Sequence, residues 1–421
     1  MAPRILLLQF LNMLMGGGCY LIAVSSFGVW SAAGWSPVLT GGAMMLANLA
    51  YGGLVGVGGR MADGWGRART AVCGALLAVA GGLLAWLVAD PRAAAVGTVV
   101  AFAGSALFFP GNVGLFSDAR SSAGGEVPLH VKVSRYNLGW SGGNLAGFVI
   151  AWLLSFGHVT AGYLVAVGGF LLAALIQLQW WALPPQPPAA SGDRGDHPAL
   201  PRLIRMGRVG LLLYCLMGMA LISLFENTLA RTTPPAEAHT TATAALALYA
   251  FGYFSTFAVL GWWGGWVMRP WRLFAIACLL PCAAAGFIAC GLAHISGALP
   301  YALCTLVLGI AFGGVYTASM YYSLRLPHGA ARAASLHETY LGAGSTLGPL
   351  LCGGFLMLWS DGVTGLGVYL LLGAALVLGW QLSQLPVIGR LLAGKPVADE
   401  TAAGKPAAGE PAAGDPVTSG S

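Results

Sequence analysis

The chain has 421 residues, of which 57% are hydrophobic and only 8% are charged, and its mean hydropathy is +0.76. An average soluble domain carries about 25% charged residues, so this composition excludes a soluble globular enzyme, a nucleic-acid-binding protein and a disordered chain. The net charge of +6 comes from basic residues scattered over short segments, which excludes a polyanion-binding patch. The composition indicates an all-α polytopic membrane protein.

Apolar blocks of about 20 residues recur along the chain, and each is long enough to cross a bilayer as a helix. Twelve such blocks are predicted, the first over residues 5–29 and the last over residues 362–385. The basic residues test this number, because cytoplasmic segments carry an excess of Lys and Arg. With a cytoplasmic N-terminus, all 20 basic residues except Arg92 and Arg231 fall on the cytoplasmic side. We therefore predict twelve transmembrane helices with both termini in the cytoplasm.

The longest internal loop divides the chain into two parts. Residues 184–207 contain Pro-Pro-Gln-Pro-Pro and three arginines, which is typical of a cytoplasmic linker. It separates a predicted N-terminal six-helix bundle over residues 1–183 from a C-terminal six-helix bundle over residues 208–385. Residues 386–421 end in a low-complexity repeat of Ala, Gly and Pro, which predicts a disordered cytoplasmic tail.

Several glycines and arginines recur at a displacement of about 200 residues, which is the spacing expected of parallel duplicated halves. The clearest case is a Gly-x-x-x-Gly pair, found as Gly143 and Gly147 in the fifth span and as Gly344 and Gly348 in the eleventh. The common displacement predicts that the two six-helix bundles are pseudo-symmetric.

The loop between the second and third spans reads Gly59-Arg60-Met61-Ala62-Asp63-Gly64-Trp65-Gly66-Arg67-Ala68-Arg69. This sequence resembles the signature loop of the major facilitator superfamily, G-x-L-A-D-x-x-G-R-[KR]-[KR], although Ala68 departs from the basic pair. The resemblance implies two six-helix bundles that move about a central cavity. Independently of the family, Gly59 and Gly66 permit a tight turn, and Asp63 can pair with Arg67 or cap a helix N-terminus across the interface.

A second element lies in span eleven, where Pro349 follows the glycine pair Gly344 and Gly348. It is similar to the family's helix-bending motif G-x-x-x-G-P-x-x-G-G, with one residue inserted before the last glycine pair. In many exporters of the family this motif lies in span five. Here span five has Gly143 and Gly147 but no proline.

Polar side chains inside the membrane are costly, so they are candidates for function. The resemblance implies that spans one, four, seven and ten line the cavity, and span five adds two amides on one face. The candidate substrate-cavity residues are Gln9, Asn12, Asn112, Asn137, Asn144, Glu226, Asn227, Tyr316 and Thr317. Each amide can equally hold helices together by hydrogen bonding. Glu226 is either a cavity carboxylate or proton carrier, or a solvated helix end paired with Arg231.

Four ionisable residues are candidates for coupling or gating, namely Arg135, Glu226, His337 and Glu338. Glu338, beside His337, is predicted about one turn inside the cytoplasmic face, as a proton site, a latch partner or a solvated charge at the helix start. Arg135 is predicted at a similar depth in span five. We therefore predict a latch between Arg135 and Glu338 that closes the cytoplasmic side.

The sequence lacks a phosphate-binding glycine loop with its lysine, a metal-ligand spacing and a nucleophile motif. We therefore expect no enzyme activity, no cofactor, no metal and no nucleic-acid partner. The features together predict a secondary-active transporter that moves a small organic solute, with H+ coupling, across a bacterial-type inner membrane. We expect it to act as a monomer in the lipid bilayer. The alternatives are an uncoupled facilitator and a non-transporting relative of the fold that senses or scaffolds.

Overall fold

The computed structural model describes residues 3–88, 90–118, 128–182, 198–295, 297–325 and 330–393. The described chain is all-helical, with thirteen α-helices and a short 3-10 helix over Gly264–Trp266. The α-helices are α1 (Pro3–Ala32), α2 (Pro37–Gly64), α3 (Arg67–Leu87), α4 (Pro91–Asp118), α5 (Leu129–Leu154), α6 (Ala161–Leu178), α7 (Leu200–Leu229), α8 (Pro235–Trp262), α9 (Pro270–Ala277), α10 (Leu279–Leu292), α11 (Ala298–Ser323), α12 (Ala330–Leu356) and α13 (Gly362–Leu392).

Ten segments of the described chain are long and apolar enough to cross a membrane, and α9 and α10 together form one of them. The two other long helices, α5 and α12, are not among the ten. Both carry polar residues that are buried against other helices, such as Asn137 in α5 and His337 in α12. The predicted number of twelve spans therefore stays a prediction, because hydropathy alone supports ten.

The bundle has a proximal end, where α1 begins and α13 ends, and a distal end, where α1 ends and α2 begins. The Trp380 indole of α13 donates to the Met206 carbonyl near the start of α7, at the proximal end. Helix α7 begins at Leu200, inside the predicted linker, because Leu200 and Leu203 are buried. Helix α13 continues to Leu392, inside the predicted tail. Residues 184–197 of the predicted linker and residues 394–421 of the predicted tail lie outside the described residues.

The two Gly-x-x-x-Gly pairs make the same kind of contact in the two parts of the chain. In α5, a Cβ atom on Gly143 would collide with the carbonyl oxygen of Met13 in α1. In α12, a Cβ atom on Gly348 would collide with the carbonyl oxygen of Leu216 in α7. A Cβ atom on the other members of the pairs, Gly147 and Gly344, would likewise collide with backbone carbonyls of α1 and α7. The glycines therefore allow α5 and α12 to approach the backbones of α1 and α7 directly.

Helices α1–α6 and α7–α13 form two groups that meet along two seams, α5 with α8 and α2 with α12. The α5–α8 seam includes the Ser134 hydroxyl, which donates to the Phe257 carbonyl at 2.7 Å near the proximal end. At the distal end of the same seam, the hydroxyl oxygens of Ser155 and Thr240 lie 3.0 Å apart. In the α2–α12 seam, Gly52 packs directly against Gly342.

Candidate functional site

A cavity of about 120 Å³ lies between the two groups of helices. Its wall comes from both groups, with residues of α1, α2, α4 and α5 on one side and of α7, α8, α11 and α12 on the other. Nearly half of the residues in the wall are aromatic, and they are Tyr20, Tyr51, Phe102, Phe109, Tyr136, Trp140, Tyr214, Tyr249, Tyr253, Phe312 and Tyr316. We call this space the central cavity.

Trp140 is at the centre of the aromatic wall. Its ring centroid lies 5.1 Å from that of Tyr316 and 5.6 Å from that of Tyr253, with which it stacks. Phe312 packs edge-on against the same ring at 6.5 Å. These residues come from α5, α8 and α11, so the wall joins the two groups of helices. Contacts of this kind stabilise packing beyond the buried area alone, and they leave large apolar faces toward the cavity.

Glu338 of α12 is the one charged residue among the described residues that line the central cavity. Its Oε2 accepts a hydrogen bond from the Tyr51 hydroxyl at 2.9 Å, and its Oε1 lies 3.5 Å from the Tyr316 hydroxyl, which donates to it. Tyr51 belongs to α2, so this hydrogen bond crosses between the groups. Because α12 begins at Ala330, Glu338 lies about 12 Å from the start of the helix. Its depth below the cytoplasmic face stays a prediction.

A smaller cavity of about 40 Å³ lies on the proximal side of the central cavity. Its wall includes Gly59 and Asp63 of the signature loop on one side and Met320 of α11 on the other. Glu338 lines both cavities. Phe109 and Tyr136 line both cavities as well, so these three residues lie between the central cavity and the space next to the signature loop.

The signature loop is held against its own group of helices. Gly66 has φ of +119°, a conformation that favours glycine and explains this position of the motif. The Arg67 guanidinium donates to the Gly114 carbonyl of α4 at 3.0 Å, and Asp63 interacts electrostatically with Arg67. Arg69 donates to the Trp181 carbonyl at 3.2 Å. Asp63 itself is exposed.

Three amides form a buried network behind the cavity wall. The Asn112 amide of α4 donates to Asn12 Oδ1 of α1 at 2.6 Å and to the Leu8 carbonyl at 3.2 Å. Gln177 of α6 donates to Asn112 Oδ1 at 3.2 Å. Neither Asn12 nor Asn112 lines the central cavity, which corrects that assignment. They hydrogen-bond to each other between α1 and α4, which fits the alternative role of joining helices.

Of the nine predicted cavity residues, Asn144 and Tyr316 line the central cavity. With its amide nitrogen turned toward the carbonyls of Gly16 and Trp140, the orientation that satisfies both ends of the amide, Asn144 donates to both and accepts from the Tyr253 hydroxyl at 3.1 Å. Three others point elsewhere: Gln9 donates to the Arg135 carbonyl, Asn137 accepts from the Trp140 indole, and Thr317 donates to its own helix. None of the three lines the central cavity, which corrects these assignments.

Glu226 and Asn227 lie at the distal end of α7 and do not line the central cavity. The Glu226 side chain is only 4% exposed, and its Oε2 lies 2.7 Å from His239 Nδ1. Asn227 donates to the Trp35 carbonyl of the other group at 2.8 Å. Arg231 instead donates to two backbone carbonyls, that of Leu356 at the end of α12 and that of Trp359 just beyond it. The predicted solvated pair of Glu226 with Arg231 is therefore wrong, because α8 covers this end of α7.

His337 and Arg135, the remaining candidates for coupling or gating, do not contact the Glu338 carboxylate. His337 is fully buried. Its Nδ1 lies 2.9 Å from the Ser319 hydroxyl oxygen, and its ring packs edge-on against Tyr316. Among the described ion pairs there is none between Arg135 and Glu338, whose carboxylate contacts tyrosines. The latch stays a prediction for a conformation in which the proximal end is closed.

The sequence interpretation missed the aromatic wall, Tyr51 and His239. A signal for the wall was present as aromatic residues four apart, which share a helix face. The pairs with this spacing that line the cavity are Tyr136 with Trp140, Tyr249 with Tyr253 and Phe312 with Tyr316. Tyr51 and His239 carry no comparable signal. Each acquires its role from a residue on another helix.

Comparison with known proteins gives one family and a set of similar structures. The family model described as Major Facilitator Superfamily matches residues 5–349. The crystal structure of the nucleoside transporter NupG is 14% identical over 91% of this chain and 98% of its own, with a TM-score of 0.63.

A bacterial homologue of the human lysosomal transporter Spinster, in its inward-facing and unoccupied conformation, is 15% identical over 94% of this chain and 100% of its own, with a TM-score of 0.66. No curated protein matches the sequence. At these identities the two structures show a shared fold.

Proposed function

Because the chain belongs to the major facilitator superfamily, a family of membrane transporters and not of enzymes, we propose that it is a secondary-active transporter of a small organic solute. The observation that carries this proposal is the central cavity, whose wall is built by both groups of helices. A site between two groups can be exposed to either side of the membrane by moving one group against the other. The proposed mechanism is therefore alternating access.

We propose twelve membrane spans with both termini in the cytoplasm, which makes the proximal end the cytoplasmic one. The basic residues support this orientation, since the signature loop with Arg60, Arg67 and Arg69 is proximal. Exposed tryptophans at the proximal end of α8 and the start of α9, such as Trp262 and Trp271, are placed where membrane-interface anchors belong. A bacterial-type inner membrane and a monomeric state complete the proposal.

The two ends of the bundle support assignment of this conformation to an inward-facing state. At the distal end, Asn227 bonds to Trp35 and Ser155 to Thr240 across the groups. At the proximal end, the smaller cavity separates α2 from α11. In the other state of the cycle the proximal side would close, and the Arg135–Glu338 latch would form there.

Proton coupling is proposed at Glu338. A carboxyl group between two phenolic hydroxyls can remain hydrogen-bonded both as an anion and as a neutral acid. Glu338 also lines the cavities on both sides of this position, so a proton and a solute can each reach it. Intramembrane carboxyl groups with this access are the usual proton sites of transporters. An uncoupled facilitator and a non-transporting sensor are the outcomes that would replace this proposal.

The test begins with a thermal-shift screen that identifies a stabilising solute, followed by flux measurements in liposomes that contain the purified protein and a pH-sensitive dye. We expect solute flux with accompanying proton flux. At saturating solute, Glu338→Gln should lose proton flux and retain solute exchange, while Glu237→Gln, which removes an exposed acid of α8, should retain both. Solute flux without proton flux in the wild type would indicate a facilitator. Binding without flux would indicate a sensor.

A further inference from the structure

The charge of the central cavity comes from a single side chain. Glu338 is acidic, and none of the described residues in the wall is Lys, Arg or His. An anionic solute would meet a like charge there without a counter-charge, and a cationic solute would find an opposite one. Burial away from water strengthens both effects. The wall therefore favours cationic over anionic solutes.

Three other polar side chains of the wall already make hydrogen bonds within the protein. Asn144 uses both amide hydrogens on carbonyls and its oxygen on the Tyr253 hydroxyl. Asn48 donates to the Met44 carbonyl at 2.8 Å, and Ser105 donates to the Phe102 carbonyl at 2.7 Å, each within its own helix. A neutral solute rich in hydrogen-bonding groups would find little unused capacity on these side chains. The largest remaining polar interaction is with the carboxylate.

The carboxylate lies next to aromatic faces. The Tyr316 hydroxyl is within 3.5 Å of Glu338 Oε1, and the Tyr316 ring is 5.1 Å from that of Trp140. Cations are attracted to the faces of Trp and Tyr rings, and this attraction grows when the site excludes water. A positively charged group in this part of the cavity would thus interact with Glu338 and with Trp140 at the same time.

We infer that the central cavity binds an organic monocation, an amine or quaternary ammonium group on an aromatic or aliphatic body. The inference rests on the proposed role of the cavity as the solute site, and it names the class of solute. Glu338 neutralises the cation, Trp140 and Tyr316 contact its face, and Tyr51 holds the carboxylate in position. The apolar remainder of the wall accommodates the body of the solute.

The test uses three probes of nearly the same size and different charge, measured by isothermal titration calorimetry on the purified protein. They are 2-phenylethylamine, 2-phenylethanol and 3-phenylpropionate, and phenyltrimethylammonium is added as a cation without N–H donors. We expect both cations to bind at least 10-fold more tightly than the alcohol, and the anion not to bind. Equal binding of amine and alcohol, or absence of binding by both cations, would overturn the inference.

Two variants with matched controls locate the site. Glu338→Gln should weaken binding of both cations at least 10-fold and leave 2-phenylethanol unchanged, and Glu237→Gln should change neither. Trp140→Leu should weaken phenyltrimethylammonium about 3- to 30-fold, while Trp262→Leu, at an 88% exposed tryptophan, should not. Each variant is first checked for wild-type elution on size exclusion. Unchanged cation affinity in a folded Glu338→Gln protein would contradict the site.

Flux in liposomes separates this inference from the proposed function. If a neutral or anionic solute is transported and the cations neither bind nor compete, the protein remains a transporter and the inference fails. If the cations bind in a Glu338-dependent manner but no probe crosses the membrane, the cation site stands and the transport proposal fails.

Discussion

The Glu226 carboxylate of α7 and the His239 imidazole of α8 form a buried pair, with Oε2 2.7 Å from Nδ1, at the distal end of the bundle. The His239 ring also packs over Gly28 of α1, where a Cβ atom would lie about 3.1 Å from it. The pair therefore joins two helices of one group and supports contact with the other group. The pair is one of the contacts that close the distal end.

We expect His239→Ala to lower the midpoint of thermal unfolding, measured by intrinsic fluorescence of the purified protein. Glu226 Oε1 has no hydrogen-bond partner among the described residues, so removal of the imidazole would leave the whole carboxyl group buried without one there. Such a loss costs about 1–3 kcal/mol. The control is His158→Ala, an exposed histidine at the same end. Equal midpoints for the two variants would show that the pair does not contribute to stability.

The glycine contacts of α12 predict different results at two positions of one helix. Gly348→Ala should destabilise the protein, because its Cβ would collide with the Leu216 carbonyl of α7. Gly354→Ala should be neutral or stabilising by up to about 1 kcal/mol, because no atom of the described part of the chain lies within 4 Å of its Cβ position and alanine favours the helix. Detergent-solution melting curves of both variants provide the comparison. A Gly348→Ala protein as stable as Gly354→Ala would contradict the close packing of α12 on α7.

Asp63→Asn should slow transport several-fold while expression stays near normal. The substitution preserves the side-chain volume but removes the charge that interacts with Arg67 beside the smaller cavity. Solute uptake in liposomes, together with protein yield, provides the measurement. Asp90→Asn removes an exposed charge at the distal end and serves as the control. Wild-type uptake by Asp63→Asn would leave the loop as a signal for membrane topology alone.

Alternating access predicts that a covalent bond across the distal end stops transport. The hydroxyl oxygens of Ser155 and Thr240 are 3.0 Å apart, so Ser155→Cys with Thr240→Cys should form a disulfide between α5 and α8. The exposed Cys278 and Cys282 are replaced first. Uptake should be lost under oxidation and should return with reductant, and either single variant should be insensitive. Full uptake by the cross-linked protein would exclude opening of this end.

The Arg135–Glu338 latch is tested by exchange of the two charges. If the residues pair when the proximal end closes, Arg135→Glu and Glu338→Arg should each damage transport, and the double variant should recover part of the loss. The cation site makes the opposite prediction, because the double variant would place an arginine in the cavity and exclude a cationic solute. Comparison of the recovery in uptake and in binding of phenyltrimethylammonium distinguishes the two roles.

The fold could be predicted from the sequence to a larger extent than the site. Hydrophobic blocks and the residues around Asp63 were enough for the family, and the spacing of the glycine pairs anticipated similar contacts in α5 and α12. Whether a polar residue faces a cavity or a neighbouring helix depends on the rotation of its helix, which hydropathy does not specify. Asn112 and Asn144 illustrate this, since both are buried amides and only Asn144 lines the cavity.

The two seams between the helix groups differ at the proximal end, and this difference has a consequence for how the molecule opens. At the proximal end α5 stays in contact with α8 through Ser134 and Phe257, whereas α2 beyond Gly52 borders the smaller cavity, with Met320 of α11 on its other side. We expect the proximal end to open about the contact between Ser134 and Phe257. The solute would leave on the side of α2 and α11, past the signature loop. Substitutions that alter release rates should therefore cluster on that side of the molecule and be sparse around Ser134 and Phe257.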